Sequence, residues 1–172
     1  MKRFRVWLAW MVLFLAACSS PIDPLLSEIA RAGGTVEHDY REPGAPIIAV
    51  DVHGATGTDA LLRRLGQLKQ IRRLNLGGSD VTDHGLAAVQ AMPLLRELNL
   101  STTTIGDAGL TNVSALTALR ELGLAGTRVS DTGLAELHTL VHLEKINLVG
   151  TKVTQKGLEE LQQRLPNVDI QH

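Results

Sequence analysis

Four groups of residues in this chain have the types and spacing that chemistry uses. His138 and His142 stand four apart, the interval at which two imidazoles share one helix face and can hold zinc. Asp59, Asp83, Asp107 and Asp131 recur every 24 residues, so a repeating structure would stack their carboxylates along one edge. Arg72, Arg96 and Arg120 recur at the same interval, a spacing suited to gripping carboxylate or phosphate. Cys18 is the one thiol of the chain.

The first two groups lack what their chemistry requires. No Glu lies in the required place between His138 and His142 and no third ligand is evident. His138 shares its repeat position with Gln90, Ser114 and Gln162, which reads as a solvated surface position. His53 and His84 are isolated. A cation site needs several oxygens converging on one point, whereas the aspartates form a column that Gln155 breaks. These aspartates sit in turns such as Thr82-Asp83-His84-Gly85, Ser130-Asp131-Thr132-Gly133 and Gly106-Asp107-Ala108-Gly109. Thr82, Ser130 and Thr154 suit helix N-caps, and a following Asp is favoured by the helix dipole, so capping accounts for them. Gly33-Gly34 and Gly77-Gly78 are a helix stop and a repeat turn rather than phosphate loops. The expectation is no catalytic set, no metal and no cofactor: a binding protein, not an enzyme.

Cys18 belongs to a different argument. Lys2, Arg3 and Arg5 precede an uncharged run from Val6 to Ala17, the layout of a secretory signal. As a helix that run rises only about 18 Å, short of the ~30 Å hydrocarbon core. It ends Leu15-Ala16-Ala17-Cys18, which resembles the lipobox of bacterial lipoproteins. The resemblance implies cleavage before Cys18, a diacylglycerol on its sulfur and an acylated amine. Residues 1–17 are then the signal and 18–24 a lipidated tether. Ser19, by resemblance to lipoprotein sorting rules, implies the outer membrane, at its periplasmic face or the cell surface. The tether reaches roughly 20 Å when extended, which holds the domain near the membrane. Loss of residues 1–17 leaves 14 Lys and Arg against 18 Asp and Glu, a formal charge of −4, which argues against nucleic acid. It also leaves Tyr40 as the one aromatic residue.

The elements that must position everything else announce themselves by self-similarity at an offset of 24. Leu74/Leu76, Leu98/Leu100, Leu122/Leu124 and Ile146/Leu148 fall in step, and Val50/Val52 extends the series backwards. Five units follow, 47–70, 71–94, 95–118, 119–142 and 143–166, each a short alternating strand, a turn and a stretch with Leu134, Leu137 and Leu140 type spacing on one helical face. The pattern Leu119-Arg120-Glu121-Leu122-Gly123-Leu124 resembles the leucine-rich repeat of the ribonuclease-inhibitor-like and cysteine-containing subtypes, over residues 47–170. It implies an α/β solenoid, a short horseshoe with a concave parallel sheet and convex helices, present as a monomer. The sequence departs from the commoner pattern at the ninth position, which holds Ala55, Ser79, Thr103, Thr127 and Thr151. A hydroxyl ladder to the turn of the same and the next repeat is expected there. Residues 25–46 form an N-terminal cap, with a helix over Pro24–Gly34, a strand over Thr35–Tyr40 and a turn at Pro43-Gly44. Residues 167–172 supply an edge strand.

Function then falls to the concave columns. The second repeat position carries Arg72, Arg96 and Arg120 followed by Glu144; the third carries Arg73, Glu97, Glu121 and Lys145; the fifth carries Asp51, Asn75, Asn99, Gly123 and Asn147. Arg73–Glu97 and Glu121–Lys145 are expected as ion pairs between neighbouring strands, with Glu97 and Glu121 relieving the arginine column. Candidate partner-binding residues are Arg72, Arg96, Arg120, Arg73, Asn75, Asn99 and Asn147. The expected function is a membrane-anchored interaction module whose partner is an envelope or host protein, or an anionic ligand. A surface-displayed adhesin or host-directed module and a structural envelope spacer are the alternatives.

Overall fold

The computed structural model describes residues 23–172. The signal segment and Cys18 lie outside the described residues. Helix α1 (Asp23–Arg31) leads through Gly33, at φ +75°, and Gly34 into strand β1 (Thr35–His38). A side chain at Gly34 would collide with the Asp51 carbonyl and with Val52 and Ile29, so glycine is required for the cap to close on the sheet. The cap strand ends two residues before the expected Tyr40. It pairs antiparallel with β2 (Ile47–Asp51), with an irregularity between Glu37 and His38.

From β2 onward the strands are parallel and in sequence order: β3 (Arg73–Asn75), β4 (Glu97–Asn99), β5 (Glu121–Gly123), β6 (Lys145–Asn147) and β7 (Asp169–Gln171). Their register is the sequence offset itself: Leu74 faces Leu98, which faces Leu122, which faces Ile146. The centre of each strand is the buried residue. Leu74, Leu98, Leu122 and Ile146 are at most 2% exposed, whereas the flanking residues face the concavity.

The opposite layer consists of α2 (Thr58–Leu65), a 3₁₀ helix (Gly85–Ala91), α3 (Asp107–Val113), α4 (Asp131–Ala135) running into a 3₁₀ turn (Glu136–Thr139), and α5 (Gln155–Arg164). Leu62, Leu86, Leu110, Leu134 and Leu158 point from these helices into one continuous core with the strand leucines. Each unit completes its core only against its neighbours, which is the energetic logic of a solenoid. The helical turn after α4 ends at Thr139, so His142 lies beyond it and the two histidines do not share a helix face. His138 Nδ1 is instead 2.9 Å from its own Ala135 carbonyl.

Candidate binding face

Two sets of polar side chains run the length of the sheet, one in the turns that enter the helices and one on the concave face. In the turns, the N-caps form as expected. The Ser130 hydroxyl accepts from Thr132 N–H, and the Thr154 and Thr82 hydroxyls accept from Gly157 and Gly85 N–H. The aspartates, however, do more than cap. Asp59 accepts from the N–H and hydroxyl of Thr82, Asp107 from those of Ser130, and Asp131 from those of Thr154, all at 2.6–2.9 Å. Asp83 accepts one bond, from Gly106 N–H at 2.8 Å, because position 106 has no hydroxyl. Each carboxylate therefore locks its repeat to the next. The motif glycine makes the space: a Cβ at Gly133 would overlap Asp107, and one at Gly157 would overlap Asp131.

These bonds act on ionisation. Asp131 is held below the ordinary carboxylate value by the Thr154 hydroxyl and then its N–H. Asp80 is lowered in the same way, by the N–H groups of Thr58 and Gly57 at the start of α2, at 2.9 and 2.7 Å. Sequence reasoning missed Asp80, which caps the helix of the preceding repeat from 22 residues away. The hydroxyls of the ninth position bond only within their own repeat. Ser79, Thr103, Thr127 and Thr151 donate to the carbonyls of Leu76, Leu100, Leu124 and Leu148 at 2.6–2.7 Å, and the expected bonds to the next repeat do not form. The geometry explains it, since a hydroxyl hydrogen directed at the carbonyl three residues back points along its own turn.

On the concave face the fifth-position amides form a ladder. Asn75 Nδ2 donates to Asp51 and Asn99 Nδ2 donates to Asn75 Oδ1, at 3.0 and 2.9 Å. The oxygens also accept from backbone two residues on, Gly77 to Asn75, Ser101 to Asn99 and Val149 to Asn147. Gly123 interrupts this ladder. Around it the strands line a concavity of about 680 Å³, floored by Leu74, Leu98 and Leu122 and rimmed by Glu37, Arg73, Glu97, Glu121, Lys145 and Gln171.

A model of the leucine-rich repeat matches residues 91–114. Among solved structures the chain is similar to an internalin of Listeria monocytogenes (22% identity, 64% of this chain and 30% of that one, TM-score 0.54). It is also similar to a leucine-rich-repeat protein of Leptospira interrogans (19%, 64% and 27%, 0.51). Internalin C2 of L. monocytogenes is a further match (20%, 62% and 43%, 0.51). The fold is a leucine-rich-repeat solenoid. The chain spans less than half the length of these three proteins, and at such identities the likeness concerns the fold. No curated protein matches the sequence.

The leucine-rich repeats place Arg72, Arg96 and Arg120 at the entrance to successive strands, but with partners other than those expected. Arg72 is 3.5 Å from Asp39 of the cap, and Arg120 pairs with Glu144 in the same column of the next repeat. Arg73 turns away from Glu97 and pairs with Glu37 on β1. The Lys145–Glu121 pair forms as expected, at 3.6 Å. The relief of the arginine column thus comes from Asp39, just beyond the cap strand, and from Glu144, in the same column of the next repeat, rather than from Glu97 and Glu121. Among the described residues Arg96 and Glu97 have no ion-pair partner, and both are exposed.

One further departure lies in the turn above the ladder. Gly54, Gly78, Gly126 and Gly150 occupy the left-handed region at φ between +66° and +71°, and their repeat equivalent is Thr102 at +58°. A β-branched residue is strained there, by about 1–3 kcal/mol. The turn is held by Thr102 N–H donating to Ala125 O at 2.7 Å.

Proposed function

We propose that this protein is a membrane-anchored leucine-rich-repeat module of the bacterial envelope that binds a protein partner on its concave face. Its repeats are nearest in spacing to the ribonuclease-inhibitor-like and cysteine-containing subtypes. The observation that carries the binding reading is that Glu97 at the rim of the central concavity, and Arg96 beside it at the entrance to the same strand, have no ion-pair partner among the described residues. Other rim charges are neutralised within the chain, whereas these two present a cation and an anion to a ligand. The lining also suits recognition: its polar side chains are carboxylates, amides, one arginine, one lysine and the Thr35 hydroxyl. The lipobox-like Leu15-Ala16-Ala17-Cys18 supports the anchor, and Ser19 supports the outer membrane.

A photoreactive amino acid at position 97, compared with one at the exposed convex Gln162, tests the reading in native envelopes. A discrete adduct from position 97 that is absent from position 162 is expected. Equal labelling from both faces would reject the concave site. Cys18→Ala is expected to leave the protein unprocessed or in the soluble fraction, and normal processing with membrane retention would reject the anchor.

A further inference from the structure

The interruption of the amide ladder at Gly123 leaves its two neighbours half-bonded. In the intact part of the ladder each amide donates through Nδ2 to the preceding repeat and accepts through Oδ1 from the following one, as Asn75 does between Asp51 and Asn99. Asn99 Oδ1 accepts from Ser101 N–H at 3.0 Å but receives nothing from the following repeat, because residue 123 has no side chain. Asn147 Oδ1 accepts from Val149 N–H at 3.1 Å, while its Nδ2, which by ladder polarity lies toward residue 123, makes no side-chain bond among the described residues and is open to solvent. The gap is thus bounded by an amide oxygen on one side and an amide N–H on the other. The Ser101 hydroxyl stands at its wall and the end of Asn99 leans over it: a Cβ built on Gly123 would be 3.0 Å from Ser101 Oγ and would overlap Asn99 Oδ1 at 2.5 Å, so a group entering the gap swings the Asn99 amide back. The equivalent wall positions in other repeats are His53, Gly77, Ala125 and Val149, so this hydroxyl occurs only beside the gap.

We infer that the notch over Gly123 receives the carboxamide of a partner's glutamine or asparagine side chain, which completes the ladder by donating to Asn99 Oδ1 and accepting from Asn147 Nδ2. This rests on the reading of the concave face as a protein-binding surface and names the group it reads. The chemistry favours an amide because it carries an N–H and a carbonyl on separate atoms, as the missing ladder residue would, and so meets both neighbours across the gap; a carboxylate lacks the donor and an ammonium lacks the acceptor. A side-chain end fits where a main chain does not, since the notch is one residue wide and walled by Asn99 and Ser101. A site built around such bonds discriminates against an isostere lacking them, because its own polar groups are otherwise left unpaired.

The test is a titration of the full-length chain with N-acetylglutamine methylamide, followed by the side-chain NH₂ resonances of Asn99 and Asn147, with N-acetylmethionine methylamide as the near-isosteric control. Both probes carry the same main-chain amides, so the comparison isolates the carboxamide. A saturable shift is expected with the glutamine probe, with binding about tenfold weaker for the methionine probe. In Gly123→Asn the added amide fills the gap, displacing only the flexible end of Asn99, and the response is expected to vanish. Asn147→Asp keeps the oxygen that accepts from Val149 N–H and removes the donor, as Asp51 does at the other end of the ladder; it is expected to weaken binding by about tenfold while the melting temperature stays near that of the parent. Equal response to the two probes, no shift up to the solubility of the glutamine probe, or full response in Asn147→Asp would overturn the inference. Any of these together with a discrete adduct from position 97 would remove the amide notch and leave the binding face in place.

Discussion

The turn edge and the concave face of the sheet are built from the same 24-residue repeat, yet they treat polar side chains in opposite ways. At the turn edge Asp59, Asp107 and Asp131 each meet the same two donors in the next repeat, and the motif glycine recurs to make room. On the concave face the ladder runs from Asp51 to Asn99 and stops, the arginines change partners from repeat to repeat, and Arg96 and Glu97 have none. Groups that hold the fold together are satisfied in the same way from unit to unit, with Asp83, which faces Gly106 and keeps only the backbone bond, as the exception. The groups the fold leaves unmatched lie on the side where the repeat is broken, and on the proposed reading it is these that meet a ligand.

The hydrophobic floor common to both regions sets the largest effect. Leu122→Ala, at a position 2% exposed between Leu98 and Ile146, is expected to cost about 2–5 kcal/mol in denaturant unfolding. An unchanged midpoint would show that the strand does not face inward. Next is the lock itself. Asp107→Ala strands the N–H and hydroxyl of Ser130, and is expected to cost about 1–3 kcal/mol, measured in the same way.

The lock also predicts a pH dependence. The folded-state pKa of Asp131 lies below the ordinary 3.8, so its contribution to stability is fully present above that value and is lost as the pH falls through the lower folded value. Unfolding midpoints of the parent are expected to fall below about pH 4 more steeply than those of Asp131→Asn. Parallel curves would show that Thr154 does not hold the charged form. A smaller effect of opposite sign is expected at the boundary between the two regions. Thr102→Gly, which relieves the left-handed strain, should raise stability by about 1 kcal/mol, or ~2–4 °C in Tm.

The fold was legible because its signal is local and repeated: Leu74, Leu98 and Leu122 recur at one interval, and that interval proved to be the sheet register. The roles of the polar residues were less so. Asp107 opens a helix, which suggests an interaction with the helix start, but its bonds go to Ser130, 23 residues on, a relation that emerges only when repeats are stacked. The recurrence of Thr or Ser one position before Asp59, Asp83 and Asp131 was the available clue. Arg72 and Arg73 were read against their parallel neighbours, whereas their partners Asp39 and Glu37 come from a cap segment outside the repeat. The pairing of Glu121 with Lys145, which stays within the repeats, was read correctly. The ladder column was visible in the sequence, but its polarity, and hence the significance of the missing amide at Gly123, required the positions of Oδ1 and Nδ2.

The central claim, that the unmatched concave groups serve binding and the matched turn groups serve the fold, is tested most directly by one paired measurement on Arg96→Gln. Its melting temperature and its yield of the adduct from a photoreactive residue at position 97 are measured beside those of the parent. An exposed residue without a partner should change stability by less than about 0.5 kcal/mol, so the account predicts an unchanged Tm and a clear fall in adduct. A lowered Tm with undiminished adduct would contradict it, and would assign Arg96 to the sheet.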